Sequence, residues 1–341
     1  MVRKSAEKKL ETAEKPGDGS GLGKMGRKIL FELDTDSSQT LGEIGKKIRK
    51  SPQYVEYWIN KLSSEGYVKD FVTVIDYKKL GYSYYTIYIS FKMMDPIKEQ
   101  KFIDYLAADK SITILYSCYG EWDVVAGMLA KDPVEIYEKI SNVKRKFGEA
   151  IGDLIVETHV GSKFFGRRHL SDDDILSSSA PISGERADIV DFDDKDIKLL
   201  SALKDNARAS TIRLAEISGL TPDMVRYRLK RLRSEKVILR SSILPDYTKI
   251  NWKFFRLLLK LKGISAEKEK ELFSFFESKQ NVIRFTREFG SYDVSVDVEV
   301  YGETKLSELI RELKSKFYGV IAEYDSIQIA RTEKSYYFLS V

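Results

Sequence analysis

The sequence predicts an α+β protein in which two winged helix-turn-helix domains alternate with two ferredoxin-like βαββαβ domains in a tandem repeat. Three observations lead to this fold class. The chain repeats itself at a spacing of 170 residues, each copy begins with three short helical patterns, and the second half of each copy carries alternating apolar positions. Its length of 341 residues allows roughly two or three domains of ordinary size, each large enough to bury a core.

The internal repeat aligns the chain with itself from about Met25 to His159 without a gap. Matching residues stay in register, including Leu30 with Leu200, Pro52 with Pro222, Gly120 with Gly290, Asp123 with Asp293 and Phe147 with Phe317. A register held for so long is not expected by chance. The repeat predicts a disordered tail (1–24), a first winged helix-turn-helix (25–83), a first ferredoxin-like domain (84–160), a linker (161–192), a second winged helix-turn-helix (193–253) and a second ferredoxin-like domain (254–341). The linker core SDDDILSSSAPISGE is also predicted to be disordered.

Three helices are predicted at the start of each copy. In the second copy they are DDKDIKLLSALKDN, STIRLAEIS and a helix after Thr221, which is a candidate N-cap with Pro222 at the first helical position. A short apolar segment follows in each copy, VKDFVTVIDY and then VILRSSILPDY. This order is typical of a winged helix-turn-helix.

The second half of each copy predicts the order βαββαβ. Apolar residues alternate in the first strand, at Ile87, Ile89 and Phe91 and again at Leu257, Leu259 and Leu261. Two later strands are joined through GEWD or GSYD, and the last helix repeats its apolar positions every three or four residues. The pattern is that of a ferredoxin-like plait.

The third helix of the second copy is a candidate for reading DNA. Val225, Leu229 and Leu232 form its apolar stripe, so Tyr227 and Lys230 lie on the opposite face, where a major groove would meet them first. Arginines flank this face or lie nearer the core boundary. The candidate contacts are Arg226, Tyr227, Arg228, Lys230 and Arg231.

The same helix in the first copy exposes Gln53, Tyr57 and Asn60. Glutamine and asparagine suit adenine, whereas arginine and lysine suit guanine or phosphate. Net charge also differs, because residues 222–233 sum to +4 and residues 52–63 to 0, while residues 43–51 sum to +3 and residues 213–221 to 0. We therefore expect the first copy to hold phosphates through the cations before its third helix, Lys46, Lys47, Arg49 and Lys50.

Two alternatives stay open for these helices. A charge run on a helix is often no more than a solvated face. In the first copy, Glu56 and Trp58 stand where the second has Arg226 and Arg228, which leaves room for a helix that packs or dimerises without reading bases.

Composition excludes several classes of protein. The single cysteine, Cys118, rules out an intrachain disulfide and is expected to be an ordinary strand residue; His159 and His169 are too few for a histidine-rich metal site. No run approaches 18 apolar residues and no apolar signal core is present. We expect a soluble cytoplasmic protein with no cofactor, metal or membrane partner.

The ordered combination of DDKDIKLLSALKDNARAS, LAEISGLTPDMVRYRLKRLRSEKVI and GSYD resembles the Lrp/AsnC family of bacterial and archaeal transcription regulators. The first copy is a looser match. The resemblance implies a non-enzymatic regulator that binds double-stranded DNA, with plaits that pair into dimers and assemble further. Here one chain would form an intramolecular pseudo-dimer and then a homo-oligomer.

The resemblance also implies an amino acid or related effector near the Gly-x-x-Asp hairpin. On this chain the implied residues are Gly120, Asp123, Gly290 and Asp293. A glycine and an aspartate in a tight hairpin also serve turn geometry alone.

Two other functions remain open. Siroheme decarboxylases resemble the same domain pair, but their hairpin has a histidine that GEWDVVAG and GSYDVSVD both lack. An architectural protein that coats DNA without sensing a ligand would carry the same basic helices.

Overall fold

The computed structural model describes residues 22–171, 182–183, 188–250, 252–263 and 265–335. The first half contains α1 (Lys24–Thr35), α2 (Leu41–Ile48), α3 (Pro52–Ser64), β1 (Val68–Ile75), β2 (Ser83–Phe91), α4 (Pro96–Ala108), β3 (Ile112–Tyr119), β4 (Val124–Ala130), α5 (Pro133–Phe147) and β5 (Ile151–Phe164). After the two-residue strand β6 (Ile182–Ser183), the second half contains α6 (Asp194–Asp205), α7 (Thr211–Ser218), α8 (Pro222–Ser234), β7 (Ile238–Pro245), α9 (Tyr247–Ile250), β8 (Lys253–Leu261), α10 (Ala266–Glu277), β9 (Val282–Phe289), β10 (Val294–Val300), α11 (Glu303–Lys316) and β11 (Ile321–Ser335).

The helix starts follow from capping residues. Thr40 and Glu43 form a reciprocal capping box at α2, and Ser51 accepts a hydrogen bond from the Tyr54 amide at the start of α3. Thr221 caps α8 in the same way, with Pro222 in its first turn, as the sequence predicted.

The helices α1–α3 with β1 form the first head, and α6–α8 with β7 form the second head. Strands β1 and β7 pair antiparallel, so the two heads share a two-stranded ribbon. Their cores are also shared: Ile243 and Trp252 pack in the first head, whereas Ile75 and Leu80 pack in the second. Each head is therefore completed by apolar residues from the other half of the chain.

The first plait consists of β2–β5 with α4 and α5, and the second of β8–β11 with α10 and α11. Strand β5 pairs with β2 up to Thr158 and from there with β9 of the second plait. Strand β11 likewise pairs first with β8 and then with β3 of the first plait. The two plaits thus close into a ring of eight strands, in the order β2-β4-β3-β11-β8-β10-β9-β5 and back to β2.

Three apolar layers hold the ring together. Ile87 and Ile89 face the outer core under α4 and α5, and Leu257 and Leu259 face the matching core under α10 and α11, as the alternation predicted. The third layer lies inside the ring, where side chains of both plaits meet.

The segment after the first plait differs from the predicted linker. Residues 161–164 belong to β5, because they pair with β9, and Phe165 is buried in the second plait's core. Arg168 is buried too, since its guanidinium donates to the carbonyl oxygens of Glu277 and Lys279. The folded segment that follows the first plait therefore continues at least to Ser171, about ten residues beyond the predicted boundary at 160. The rest of the predicted disordered core, apart from β6, lies outside the described residues, as does most of the predicted tail.

The cysteine, possible metal sites and possible membrane spans were also considered in the sequence. Cys118 lies buried in β3 as a free thiol, and burial raises its pKa to about 12. No group of three or more histidine, cysteine or acidic residues in the described ranges is arranged to hold a metal ion. Among the helices of the described chain, none is long and apolar enough to cross a bilayer.

Candidate nucleic-acid interface and hairpin turns

The third helix of the second head, α8, presents the face that the sequence predicted. Val225, Leu229 and Leu232 are buried, and Tyr227 and Lys230 are exposed on the opposite side. The tyrosine ring is 71% exposed, although it is a large hydrophobic group. Within the described residues Lys230 forms no ion pair, so its ammonium is available to a phosphate or base.

Two of the candidate arginines form ion pairs within the second head. Arg228 binds Asp193 (2.7 Å) and Asp196 (2.9 Å), and Arg231 binds Asp196 (2.5 Å). The Arg228 hydrogen bond lowers the pKa of Asp193 to about 2. These pairs join α8 to the start of α6, so Arg228 and Arg231 serve first to position α8 within the head. The signal in the sequence was the acidic stretch at the start of α6, about 35 residues earlier.

Arg226 differs from these two arginines. Its ion pair with Asp223 (2.5 Å) lies within α8, and both side chains are largely exposed. Exposed pairs of this type contribute about 0–1 kcal/mol, so a DNA phosphate can displace the aspartate. Arg226, Tyr227 and Lys230 are therefore the candidate residues of α8 that face solvent.

The first head exposes a polar face on α3. Gln53, Tyr57 and Asn60 are all exposed, opposite the buried stripe. Trp58, which replaces an arginine, is half-buried and stacks edge-on against Tyr57 with ring centroids 6.2 Å apart.

The four predicted phosphate contacts of the first head cluster at the end of α2. All are exposed, and Arg49 ends the helix in the left-handed conformation with φ of 57°. Lys47 pairs with Glu32 (2.8 Å), and Lys50 lies 5.4 Å from the centre of the Tyr54 ring. Lys46 is exposed within the last turn of α2. The arrangement places positive charge at the α2–α3 junction, as the charge count predicted.

A buried ionic cluster, not predicted from the sequence, fixes the first head to the ring. Arg167 binds Asp34 of α1 (2.6 Å) and Glu299 of β10 (3.0 Å), and Tyr247 donates to Glu299 (2.7 Å). Arg240 of β7 donates to the backbone carbonyl oxygen of Asp34, and its guanidinium lies 3.6 Å from the Asp34 carboxylate. Burial alone would raise the pKa of Asp34, but the two guanidinium groups outweigh it and hold the value at about 2. We call this cluster the Asp34 clasp.

The two hairpin aspartates stabilise the ends of neighbouring strands. Asp123 Oδ2 accepts a hydrogen bond from the Phe91 amide (2.6 Å), and Asp293 Oδ2 accepts one from the Leu261 amide (2.6 Å). Both carboxylates are therefore engaged by the protein backbone. Gly120 has φ of 131°, a value that other residues rarely adopt, so it is required for the first turn.

The neighbours of the two turns differ. Beside the first, burial and then the nearby carboxylate of Asp325 on β11 raise the pKa of Glu121. Tyr292, from the second turn, donates to Asp325 (2.6 Å). Trp122 and Tyr292 both lie buried inside the ring, so the two turns meet through aromatic side chains of opposite plaits.

Both histidines are buried. His159 lies inside the ring, 3.4 Å from Glu288, and burial lowers its pKa. His169 packs edge-on against Trp252, and burial lowers its pKa to about 4. The ring interior also contains Arg256, whose guanidinium binds a buried aspartate of β10 (2.7 Å).

Comparisons with known proteins find similarity to helix-turn-helix proteins. A family model described as winged helix-turn-helix DNA-binding matches residues 192–238, the helices of the second head. An uncharacterised HTH-type transcriptional regulator of Pyrococcus horikoshii is 41% identical over 116 residues, which are 34% of this chain and 77% of that protein. The HTH-type transcriptional regulator LrpC of Bacillus subtilis is 40% identical over 53 residues, covering 16% of this chain and 37% of LrpC.

Among solved structures, the siroheme decarboxylase NirDL is similar over almost the entire chain. The TM-score is 0.60 with 11% identity, and the similarity covers 91% of this chain and 92% of that one. At so low an identity the likeness concerns the fold alone.

Proposed function

Because this chain belongs to the Lrp/AsnC family of helix-turn-helix transcriptional regulators, we propose that it is a sequence-specific regulator in which one chain supplies two DNA-reading heads. The whole unit of head and plait is duplicated in tandem, and the two copies act as an intramolecular pseudo-dimer. The shared β1–β7 ribbon and the closed ring of strands support this proposal, because both join one half of the chain to the other. Homo-oligomers would form from such chains.

The observation that carries the proposal is the exposed face of α8. Tyr227 and Lys230 project from a helix whose opposite side is buried, and Arg226 lies beside them with only an exposed partner. A major groove admits a helix of this kind, with side chains at base edges and flanking cations at phosphates. In the first head, Gln53 and Asn60 would read adenine while the α2 cations hold the backbone.

An effector with amino-acid chemistry would bind beside the hairpin turns, where the two plaits meet. Asp123 and Asp293 would act through turn geometry, since one oxygen of each carboxylate already accepts a hydrogen bond from a backbone amide. A ligand that prefers one arrangement of the plaits would alter the spacing of the heads and so the DNA equilibrium.

Selection of bound duplexes from a random library tests the proposal. We expect enrichment of an imperfect palindrome, and binding to it at physiological salt that exceeds binding to random duplex by at least about 10³-fold. Equal binding to every duplex would favour an architectural DNA-coating protein and contradict the proposal.

The similarity to NirDL keeps an enzymatic alternative testable. Titration with an iron porphyrin, followed by absorbance, should leave the porphyrin spectrum unchanged, because the hairpins have no histidine and His159 lies buried beside Glu288. A saturable spectral change at one equivalent per chain would favour the decarboxylase-like alternative.

A further inference from the structure

The turn between β9 and β10 contains a carboxyl group of the chain itself. Glu157 projects from β5 of the first plait to this turn of the second plait, where its Oε1 accepts a hydrogen bond from the Ser291 amide at 2.8 Å. The side chain is fully buried. Burial raises the pKa of Glu157, and the amides of Ser291 and Tyr292 partly offset that effect. The contact therefore joins a buried carboxyl group of one plait to backbone amides in a turn of the other.

Gly290 leaves space for this carboxyl group because it has no side chain. A Cβ atom at position 290 would lie 2.1 Å from Glu157 Oε2 and 2.7 Å from Glu157 Cδ, well inside any permitted contact. Any other residue at 290 would displace the glutamate. Successive backbone N–H groups in a turn form a concavity that binds anions, and glycine allows an anion to approach closely.

The corresponding turn of the first plait has no such occupant. The position equivalent to Glu157 is Ile327 on β11, which is fully buried and cannot accept a hydrogen bond. A Cβ atom at Gly120 would instead meet the carbonyl oxygen of Ser326 at 3.1 Å. In the part of the chain that is described, no carboxylate accepts from the Glu121 amide, the counterpart of the Ser291 amide.

We infer that the Gly290 turn is a carboxylate-binding site and that Glu157 occupies it as an internal ligand. Only the Gly120 turn is then open to a small-molecule effector, because Glu157 already fills the Gly290 turn. The carboxyls of Glu121 and Asp325 lie beside that turn, so a ligand there should carry an ammonium group. The number of effector sites rests on the proposed function, whereas the occupancy of the Gly290 turn does not.

Chemical rescue tests the occupancy without DNA or an effector. Glu157→Ala should lower the Tm of the full chain, and sodium acetate or formate should raise the variant's Tm relative to sodium chloride at the same ionic strength. Stabilisation by a ligand grows as RT ln(1 + [L]/Kd), so the rescue should increase with the logarithm of acetate concentration. The parent protein should show no acetate-specific rise.

The matched control is Ile327→Ala, which removes a buried side chain at the equivalent place in the other plait. It should lose stability without any response to acetate. Adding Gly290→Ala to Glu157→Ala should abolish the rescue, because the new methyl group fills the position of the carboxyl. Equal acetate responses in the parent, Ile327→Ala and Glu157→Ala would overturn the inference.

A second measurement covers the case in which Glu157→Ala does not fold. In the parent, the NMR shift of the Ser291 amide should titrate with a carboxyl group whose pKa lies above that of an ordinary glutamate. Glu157→Gln, whose amide oxygen can still accept the hydrogen bond, should fold and show no such titration. A Ser291 amide that is indifferent to pH in the parent would contradict the occupancy of the turn. Failure of DNA selection would leave both results unaffected.

Discussion

The two heads have the same helical frame but use charge differently. The second head places five cations on α8, and acids at the start of α6 bind two of them, Arg228 and Arg231. In the first head α3 has no net charge, the cations lie at the end of α2, and the buried Asp34 clasp fixes the head to the ring. At the position of Asp34, the second head has Lys204. The repeated helical arrangement therefore determines where side chains lie. The residues that differ between the heads determine whether a charged side chain forms an ion pair within the protein or faces solvent.

The largest expected effect comes from breaking the clasp. Asp34→Asn should lower the free energy of unfolding by about 3–5 kcal/mol, because it leaves the buried guanidinium groups of Arg167 and Arg240 without their shared carboxylate. Asp193→Asn, which retains an N-cap residue on the second head, should cost about 1 kcal/mol or less since the Asp193 carboxylate is half exposed to solvent. Urea denaturation of both variants measures the difference. Similar costs would show that the heads are fixed alike.

The clasp also predicts sensitivity to acid. The pKa of Asp34 is about 2 in the folded protein and near 3.8 when unfolded, so its ionised form stabilises the fold above about pH 4. That contribution, about 2 kcal/mol, is lost as pH falls through the folded value. The difference in unfolding free energy between parent and Asp34→Asn should shrink between about pH 4 and pH 2. A difference independent of pH would contradict the ionic role of Asp34.

Base reading by the first head predicts an effect confined to one half-site. Asn60→Ala should weaken binding to the selected duplex by about 1–3 kcal/mol and relax the preference for adenine in that half only. Lys230→Ala, at the equivalent position of the second head, should weaken contact with the other half. Fluorescence anisotropy with duplexes altered in either half distinguishes these effects. Indifference to Asn60→Ala would favour a packing role for α3.

The smallest effect concerns the arginine that faces α6. Arg228→Ala should lower the free energy of unfolding by about 1 kcal/mol, through loss of its bonds to Asp193 and Asp196, and leave the salt dependence of DNA binding as in the parent. A flatter salt dependence would assign Arg228 to a phosphate and not to helix positioning.

Local patterns predicted the helices, the strands and the exposed face of α8, because apolar spacing decides which side of an element is buried. Closure of the ring could not be predicted from such patterns, because no local sequence signal specifies that β5 changes its pairing partner from β2 to β9 at Thr158. The Asp34 clasp joins residues separated by more than 130 positions. The hydrogen bonds of Asp123 and Asp293 could not be predicted either, because a turn sequence does not specify which backbone amide donates to its carboxylate.

The central claim, that two unlike heads in one chain divide the work of DNA binding, is tested most directly by the salt dependence of affinity. We predict that Arg226→Ala with Lys230→Ala reduces the slope of log K against log salt by about 2, since each lost phosphate contact accounts for about 0.9. The counterpart variant, Glu56→Ala with Asn60→Ala, should weaken binding without flattening the slope, because neither side chain is a cation. Equal reduction of the slope by both pairs, or an unchanged slope in the first, would contradict the claim.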